Sequence, residues 1–289
     1  MVSRYCLIII LVLLLILVSY SQKQELFKDS KRDYLTFDVR VKAGLSHQLS
    51  NLLAMIKEAY FTNQKLIIPE LYLVGHHNNN NELKTNLSKY YDYSKLTING
   101  KPYKVYLFKD KSISNNDIEK RMISNQLVRF DRSIKYSDRN IDIDLPYNKN
   151  IIDIAYKISS KLNNYLCIHV RRGDMLPLKK NLREDTSIKN LKKKINKYRN
   201  QVDNIYIMTN ESDKEYLKEL KKIKNLYLFS DFEELNNIDD NYYLFCIENK
   251  IIEKAKIKIS TFNAKNNQTG RSSRGNKYDD SLSPLDGWQ

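Results

Sequence analysis

The ten residues Tyr165-Leu-Cys-Ile-His-Val-Arg-Arg-Gly-Asp174 join an apolar run to two arginines and a glycine. The run from Tyr165 to Val170 predicts a buried strand, and Gly173 predicts a turn directly after it. In parallel α/β sheets, ligands bind beyond the carboxyl ends of the strands. The stretch therefore predicts a ligand site at the end of a strand.

The two arginines in this turn suit an anionic ligand. Arg171 and Arg172 can each form bidentate hydrogen bonds to a phosphate or pyrophosphate, and Asp174 can orient one guanidinium. Because side chains alternate along a strand, His169 should point to the same side as Arg171. The alternative is an exposed turn in which Asp174 makes a local ion pair with an arginine.

The sequence before this turn contains a strand–helix–strand unit. Residues 34–39 alternate apolar and polar and predict a strand, followed by the turn at Gly44. Ser46 can cap a helix whose apolar positions run to Tyr60, and residues 65–69 predict the next strand. This order is typical of a βαβ unit.

A second series of elements begins near residue 151 with a helical stripe and the strand at 165–170. The later elements are a basic helix over 185–198, a strand at 205–208, a helix at 212–223, a strand at 226–229, a helix at 241–255 and a strand at 257–262. Such alternation favours parallel sheets covered by helices. We therefore predict an α/β protein with two Rossmann-like halves and a site between them. The N-terminal half is residues 34–150, and the C-terminal half is residues 151–265.

Other segments carry weaker signals. Residues 76–101 are predicted to form a long loop that could face an acceptor, and the stretch from 112 to 145 is poorly patterned. His76-His77 is a weak metal signal, and a solvated loop is the favoured interpretation. Residues 23–33 resemble a linker, and residues 266–289 form a polar tail.

The N-terminus predicts entry into the secretory pathway. The apolar run from Leu7 to Val18 is 12 residues long. As a helix it would span about 18 Å, less than the roughly 30 Å of membrane hydrocarbon. Ser19 and Ser21 follow it as in a signal peptide covering residues 1–22. Residues 5–20 together could instead form an uncleaved signal-anchor. Either alternative places the body in the lumen of the ER or Golgi, anchored as a type II membrane protein or released.

Two further features depend on that compartment. N-glycosylation sequons begin at Asn86, Asn210 and Asn267, about as many as chance provides in so Asn-rich a chain. Cys167 and Cys246 could pair in an oxidising lumen, or they could be two small buried residues.

Composition limits the function classes. In the 289-residue chain, 49 basic and 34 acidic residues give a net charge of +15. The lysines are spread over the whole length, which favours solvated surface charge and no nucleic-acid partner. The Lys-rich helix around residues 189–194 is likewise interpreted as a solvated face, with attraction of an acidic acceptor or a membrane as the alternative. Three cysteines without CxxC spacing exclude a disulfide scaffold and a structural zinc site.

Several cofactor and catalytic motifs are absent from the sequence. It has no GxxxxGK[ST] loop, no GxGxxG after the first strand, no GxSxG and no HExxH. P-loop, nicotinamide, flavin, serine-hydrolase and zinc-protease chemistry are therefore disfavoured. Among the four histidines, only His47 and His169 lie where a site is predicted.

The stretch His169-Val-Arg-Arg-Gly-Asp174 resembles the HxRRGD motif of the fucosyltransferase superfamily, which holds the α1,2-, α1,6- and protein O-fucosyltransferases. Two shorter segments agree in order and spacing. Gly44-Leu-Ser-His-Gln48 is similar to the family's G-x-x-N-Q turn, and Ser260-Thr-Phe262 resembles its S-[ST]-F motif. Residues 205–210 and 242–255 match a strand ending in Thr and a helix lining the donor site. The resemblance covers about residues 36–265.

The resemblance implies a GT-B-like enzyme that transfers fucose from GDP-fucose to a protein or glycan hydroxyl, with inversion and without metal or cofactor. Arg171 would bind the β-phosphate and the bridging oxygen, and would offset the charge on the departing GDP. Arg172 and Asp174 would shape the phosphate and base pocket. His169 is placed among the substrate-binding residues.

The two shorter segments supply the remaining implied contacts. Ser260, Thr261 and the backbone amides near Phe262 would hydrogen-bond phosphate oxygens, and Phe262 could lean on the sugar or the base. Gly44 would let its loop approach the donor closely, with the positive end of the following helix aimed into the cleft.

His47 stands where the family usually has Asn. It could position the donor as Asn does, act as a base toward the acceptor hydroxyl, or have no role. No acid lies between Ala43 and Gln48, so stabilisation of the leaving group would have to dominate catalysis. His47 and the few apolar residues after Phe262 also motivate an alternative function. In that alternative, the protein is a catalytically inactive lumenal relative that binds a nucleotide or glycan.

Overall fold

The structure is a computed structural model that describes residues 32–75, 82–107, 115–123, 140–173, 176–177 and 182–261. Within these ranges, none of the helices combines the length and apolar content needed to cross a membrane. The predicted signal peptide or anchor, most of the linker, His76-His77 and the tail from residue 266 lie outside the described residues.

Strands and helices alternate along the described chain. The strands are β1 (Tyr34–Val39), β2 (Lys42–Ala43), β3 (Lys65–Ile68), β4 (Leu71–Leu73), β5 (Leu83–Thr85), β6 (Thr97–Ile98), β7 (Lys101–Pro102), β8 (Tyr106–Leu107), β9 (Ile118–Ile123), β10 (Ile143–Asp144), β11 (Tyr165–Val170), β12 (Asn204–Thr209), β13 (Leu226–Tyr227) and β14 (Ile257–Ser260). The α-helices are α1 (Leu45–Thr62), α2 (Lys149–Leu162), α3 (Leu182–Asp185), α4 (Ile188–Tyr198), α5 (Lys214–Lys221), α6 (Glu233–Asn236) and α7 (Asn241–Lys254).

Two parallel sheets share one strand order. The first runs β8-β3-β1-β9 and the second β13-β12-β11-β14, with all neighbours parallel. In each sheet, the strand that comes first in the sequence (β1 or β11) has the second and third strands on one side and the last strand on the other. The order therefore reverses beside β1 and beside β11, which is where open α/β sheets bind ligands. The predicted α/β fold with parallel sheets is confirmed.

Helices cover both faces of the second sheet. Tyr165 and Cys167 of β11 belong to an apolar cluster with α2 and α7, whereas Leu166, Ile168 and Val170 pack with α4 and α5. The burial of every β11 residue explains why its sequence reads as a continuous apolar run. The cluster containing α2 and α7 extends to β1 and α1, so one core passes through both halves.

The predicted βαβ unit is confirmed as β1, α1 and β3. The cap prediction is wrong: Gly44 occupies the N-cap position with φ −69° and ψ 165°, and Ser46 lies inside the helix. No side chain caps this end of α1. The helix ends at Asn63, whose φ of 55° is the left-handed conformation that often terminates helices.

The poorly patterned stretch 112–145 contains a strand that the sequence did not reveal. β9 pairs with β1 along its full length, from Tyr34 opposite Ile118 to Val39 opposite Ile123. Its middle is charged. Arg121 forms ion pairs with Glu119 and with the buried Glu58 of α1. Charges turned inward on an edge strand break the apolar alternation, and they also discourage pairing with another chain.

The loop and helix predictions need further corrections. The part of the predicted loop 76–101 that the structure describes holds the short strands β5 and β6. The predicted helix over 185–198 is two helices, α3 and α4, and Ser187 caps α4 by accepting a hydrogen bond from the Asn190 amide at 3.3 Å. Short strands and helix breaks leave little periodicity to detect.

Both described cysteines are free thiols. Cys167 and Cys246 are buried, and burial raises the pKa of each well above its usual range. The structure therefore supports the buried-residue interpretation over the disulfide.

Glu248 is a buried acid in the C-terminal half. Its side chain on α7 is 4% exposed and accepts a hydrogen bond from the Tyr206 hydroxyl at 2.7 Å. Burial raises its pKa from 4.5 to about 8, although the hydrogen bond from Tyr206 acts in the opposite direction. The carboxyl is therefore protonated in the folded protein at neutral pH.

This raised pKa predicts that stability falls as pH rises. Between pH 4.5 and about 8 the folded state keeps a proton that the unfolded chain releases. Glu248 should thus lower the free energy of unfolding by up to about 1.4 kcal/mol per pH unit over that window. Urea unfolding of Glu248→Gln at pH 5 to 8 should show a flatter dependence. Glu253→Gln, on the exposed side of α7, should retain the wild-type slope; equal slopes in all three proteins would contradict the assignment.

Candidate active site

The two arginines after β11 turn to opposite faces of the second sheet. Arg172 reaches the face covered by α5, where its guanidinium lies 4.1 Å from the centre of the Tyr216 ring. Its Nε is 2.5 Å from Glu211 Oε2, and it donates a second hydrogen bond to Thr186 Oγ1 at 2.8 Å. Arg171 and Arg172 are 2% and 6% exposed. The alternative of an exposed turn is therefore wrong for both arginines.

Residues after β12 hold this turn in place. The Asn210 side-chain oxygen accepts a hydrogen bond from the Arg172 amide at 3.1 Å. Glu211, paired with Arg172, also accepts hydrogen bonds from the Ser212 and Asp213 amides, each at 2.9 Å. Neither Asn210 nor Glu211 was predicted to have a role in the site. Their position directly after a buried strand, at the carboxyl edge of the sheet, was the available signal.

Gly173 is required by close approach of these two strand ends. A Cβ at this position would lie 2.6 Å from the Asn210 carbonyl oxygen and 2.8 Å from its side-chain nitrogen. Since one of these atoms is backbone, the turn would have to shift to admit any side chain. The Asn210 side-chain amide therefore lies directly against Gly173.

Arg171 shares its side of β11 with His169. Burial, and then the charge of Arg171, lower the pKa of His169 to about 3, so the imidazole is neutral at physiological pH. The positive charge on this face of the strand end is therefore that of Arg171.

The end of β14 meets the same strand. Ser260 lies opposite His169 in the pairing of β14 with β11. The Thr261 amide and hydroxyl both donate to the His169 carbonyl, at 3.0 and 3.2 Å. Both donors of Thr261 therefore join the two strands in this structure, and a phosphate contact from its hydroxyl would require breaking one of these bonds. Asp174 and Phe262 lie outside the described residues.

The β1–α1 turn occupies the corresponding edge of the first sheet. His47 is half-buried in the first turn of α1. The negative φ of Gly44 means that left-handed backbone does not explain this glycine. Gln48 is fully buried, and its side-chain amide donates to the carbonyls of Val41 at 2.8 Å and Tyr72 at 2.7 Å. The sequence motif included Gln48 without a role, and the structure shows that it braces this turn.

The structure thus brings five of the predicted site residues together at the carboxyl ends of β11 and β14: His169, Arg171, Arg172, Ser260 and Thr261. Gly44 and His47 follow β1, the matching strand of the first sheet. Among the described residues, no group of three or more His, Cys, Asp or Glu side chains is arranged to hold a metal ion.

The fold is similar to that of proteins of known structure. No family model matches the chain, and no curated protein matches it. Crystal structures of POFUT1 in complex with GDP and with GDP-fucose each superpose with a TM-score of 0.52 at 9% identity, covering 80% of this chain and 91% of theirs. A NodZ α-1,6-fucosyltransferase soaked with GDP-fucose gives a TM-score of 0.44 at 10% identity, covering 78% of this chain and 87% of that one.

The chain therefore has a GT-B-like fucosyltransferase fold, with two parallel sheets. At this level of identity the likeness shows the fold, and the chemistry has to be argued from the residues of this chain.

The contacts of Arg172 predict a structural role that mutation can measure. Arg172→Ala leaves Glu211 buried without its cation and should lower the free energy of unfolding by about 3–5 kcal/mol. The double variant Arg172→Ala/Glu211→Ala should lose less than the sum of the single variants, by about 1–3 kcal/mol. Urea unfolding of the four proteins gives this coupling energy. A strictly additive double variant would show that the ion pair does not stabilise the turn.

Proposed function

We propose that this protein is a glycosyltransferase that transfers fucose from GDP-fucose to a hydroxyl group of a protein or glycan. The observation that carries the proposal is the position of Arg171. It follows the first strand of the second sheet, where the strand order reverses, within a fold shared with POFUT1 structures that hold GDP and GDP-fucose. A fixed cation at such an edge suits a diphosphate.

The neighbours of Arg171 support its assignment to the donor. Arg172 forms an ion pair with Glu211 on the opposite face of the sheet, and His169 is neutral, so Arg171 carries the positive charge on its own face. We therefore assign the β-phosphate and the bridging oxygen to Arg171. As the bond between fucose C1 and the phosphate oxygen breaks, its electron pair passes to GDP, and the guanidinium offsets the negative charge that develops there.

The acceptor reacts from the N-terminal half in this proposal. The acceptor hydroxyl oxygen forms the new bond to C1 on the face opposite GDP, which inverts the configuration. Its proton passes to the His47 imidazole, the titratable side chain in the first turn of α1. No metal is needed in this scheme, because Arg171 supplies the positive charge that a metal ion would otherwise provide.

We further propose that the protein works in the secretory-pathway lumen, in the ER or Golgi. The apolar segment and its small flanking residues support delivery there. Residues 5–20 would form the anchor if the segment is not cleaved, and the donor and acceptor are the only partners this proposal requires.

The test compares Arg171→Ala with Arg183→Ala, an exposed arginine of α3 that serves as the matched control. GDP release from GDP-fucose is followed with protein and glycan acceptors of several types. Arg171→Ala should lower kcat by about 100-fold or more, because it removes charge stabilisation from the transition state. Arg183→Ala should behave as wild type, and circular dichroism should show both variants folded.

Unchanged turnover in a folded Arg171→Ala protein would refute the proposed chemistry. Saturable GDP-fucose binding without transfer or hydrolysis by the wild type would favour the alternative of a catalytically inactive binding protein, which the substitution of His for the family's Asn motivates.

A further inference from the structure

Two tyrosine hydroxyls tie the halves of the protein to each other. Tyr242 of α7 donates to the Val74 carbonyl at 2.8 Å, from the C-terminal half to the N-terminal half. Tyr90 donates in the other direction, to Asp240 Oδ2 at 3.0 Å. We call these two hydrogen bonds the inter-half tether.

The tether is buried and well supported. Tyr90 and Tyr242 are both buried, so water competes little for their hydroxyls. Asp240 is the N-cap of α7, where its Oδ1 accepts from the Tyr242 and Tyr243 amides at 3.0 and 3.2 Å. The same carboxylate also pairs with Lys89. One side chain therefore fixes the start of α7 and holds the N-terminal half against it.

On the N-terminal side, the tether leads directly to the β1–α1 turn. The Val74 amide donates to the Ala43 carbonyl at 3.1 Å, so the residue held by Tyr242 is itself bonded to the residue before Gly44. Gln48 braces the same turn through the Tyr72 carbonyl at 2.7 Å. The position of His47 thus depends on a short chain of hydrogen bonds that ends at Tyr242.

On the C-terminal side, the tether leads to the strand edge that carries Arg171. α7 packs against α2 and the second sheet, and the Tyr165 hydroxyl bonds the Ile251 carbonyl near the end of the helix. The chain then enters β14, whose following residue Thr261 is bonded to the His169 carbonyl. A single helix therefore connects the turn that carries His47 with the edge that carries Arg171.

We propose that Tyr242 is a positioning residue that fixes the β1–α1 turn relative to the Arg171 edge. It touches neither donor nor acceptor in this role. Its hydroxyl sets where an acceptor activated at the turn meets a donor held at the edge, and misplacement of reacting groups by a fraction of an ångström lowers turnover strongly. This inference rests on the proposed function for its kinetic part and on geometry alone for its structural part.

The experiment removes single oxygen atoms. Tyr242→Phe and Tyr90→Phe each delete one hydroxyl of the tether, and Tyr243→Phe is the matched control, which keeps its ring beneath the Lys89 ammonium. Amide hydrogen exchange of residues 41–48 and 72–75 reports the turn directly. GDP affinity and steady-state transfer kinetics report the two sides of the site.

For Tyr242→Phe, we expect exchange of those amides to rise about fivefold, the fold-change that corresponds to losing one hydrogen bond. We expect kcat to fall by a similar factor while the Kd for GDP stays unchanged, because Arg171 lies on the other side of the tether. Tyr90→Phe should have the same direction of effect, and Tyr243→Phe should have none. A purely structural role would lower thermal stability without this split between kcat and GDP affinity.

Equal exchange at residues 41–48 in Tyr242→Phe and Tyr243→Phe would overturn the tether, whatever the kinetics. Faster exchange with unchanged kcat would overturn the positioning role. If the wild-type protein transfers no fucose, the proposed function fails, and the exchange measurement still decides whether the tether holds the turn.

Discussion

Two consecutive arginines are buried at the end of a central strand, and much of the surrounding structure accommodates them. β11 is a central strand with hydrogen-bonded neighbours on both sides. Because side chains alternate along a strand, Arg171 and Arg172 point to opposite faces of the sheet. Burying a charge is costly unless it is compensated, and Arg172 is compensated by Glu211, a residue from the end of the next strand. Asn210, the residue before Glu211, lies so close to position 173 that only glycine fits there.

The two sheets share one strand order. The order reverses beside β1 and beside β11, so each sheet presents a turn at the position where ligands bind. A continuous apolar core through α2 and α7 connects the two sheets. The relative position of the turns is therefore set by packing and by a few buried hydrogen bonds. This arrangement suits a reaction between two substrates, each held by one half of the protein.

Much of this fold could be predicted from the sequence, because its strongest signals are local. The first and last residues of β1 and β11 are those predicted. The βαβ order at the start of the fold was also predicted correctly. β9 was missed because Glu119 and Arg121, at two of its inward positions, are charged and form ion pairs. The Ser46 cap was wrong because Gly44 starts the helix without a side-chain cap.

The site itself was only partly predictable. The motif identified the turn that carries Arg171, since adjacent residues form it. The partners Glu211, Gln48 and Tyr242 act through contacts with residues far away in the chain, and no spacing rule predicts such contacts. The role of Arg172 in holding the turn likewise became visible only with its ion pair to Glu211.

The proposed function requires that a guanosine diphosphate sugar binds at the Arg171 edge. Calorimetric titration of the purified protein with GDP, GDP-fucose, GDP-mannose and UDP-galactose tests it most directly. We expect binding of GDP and GDP-fucose, weaker binding of GDP-mannose, and no binding of UDP-galactose. Absence of nucleotide binding by a demonstrably folded protein, or equal affinity for UDP-galactose, would contradict it.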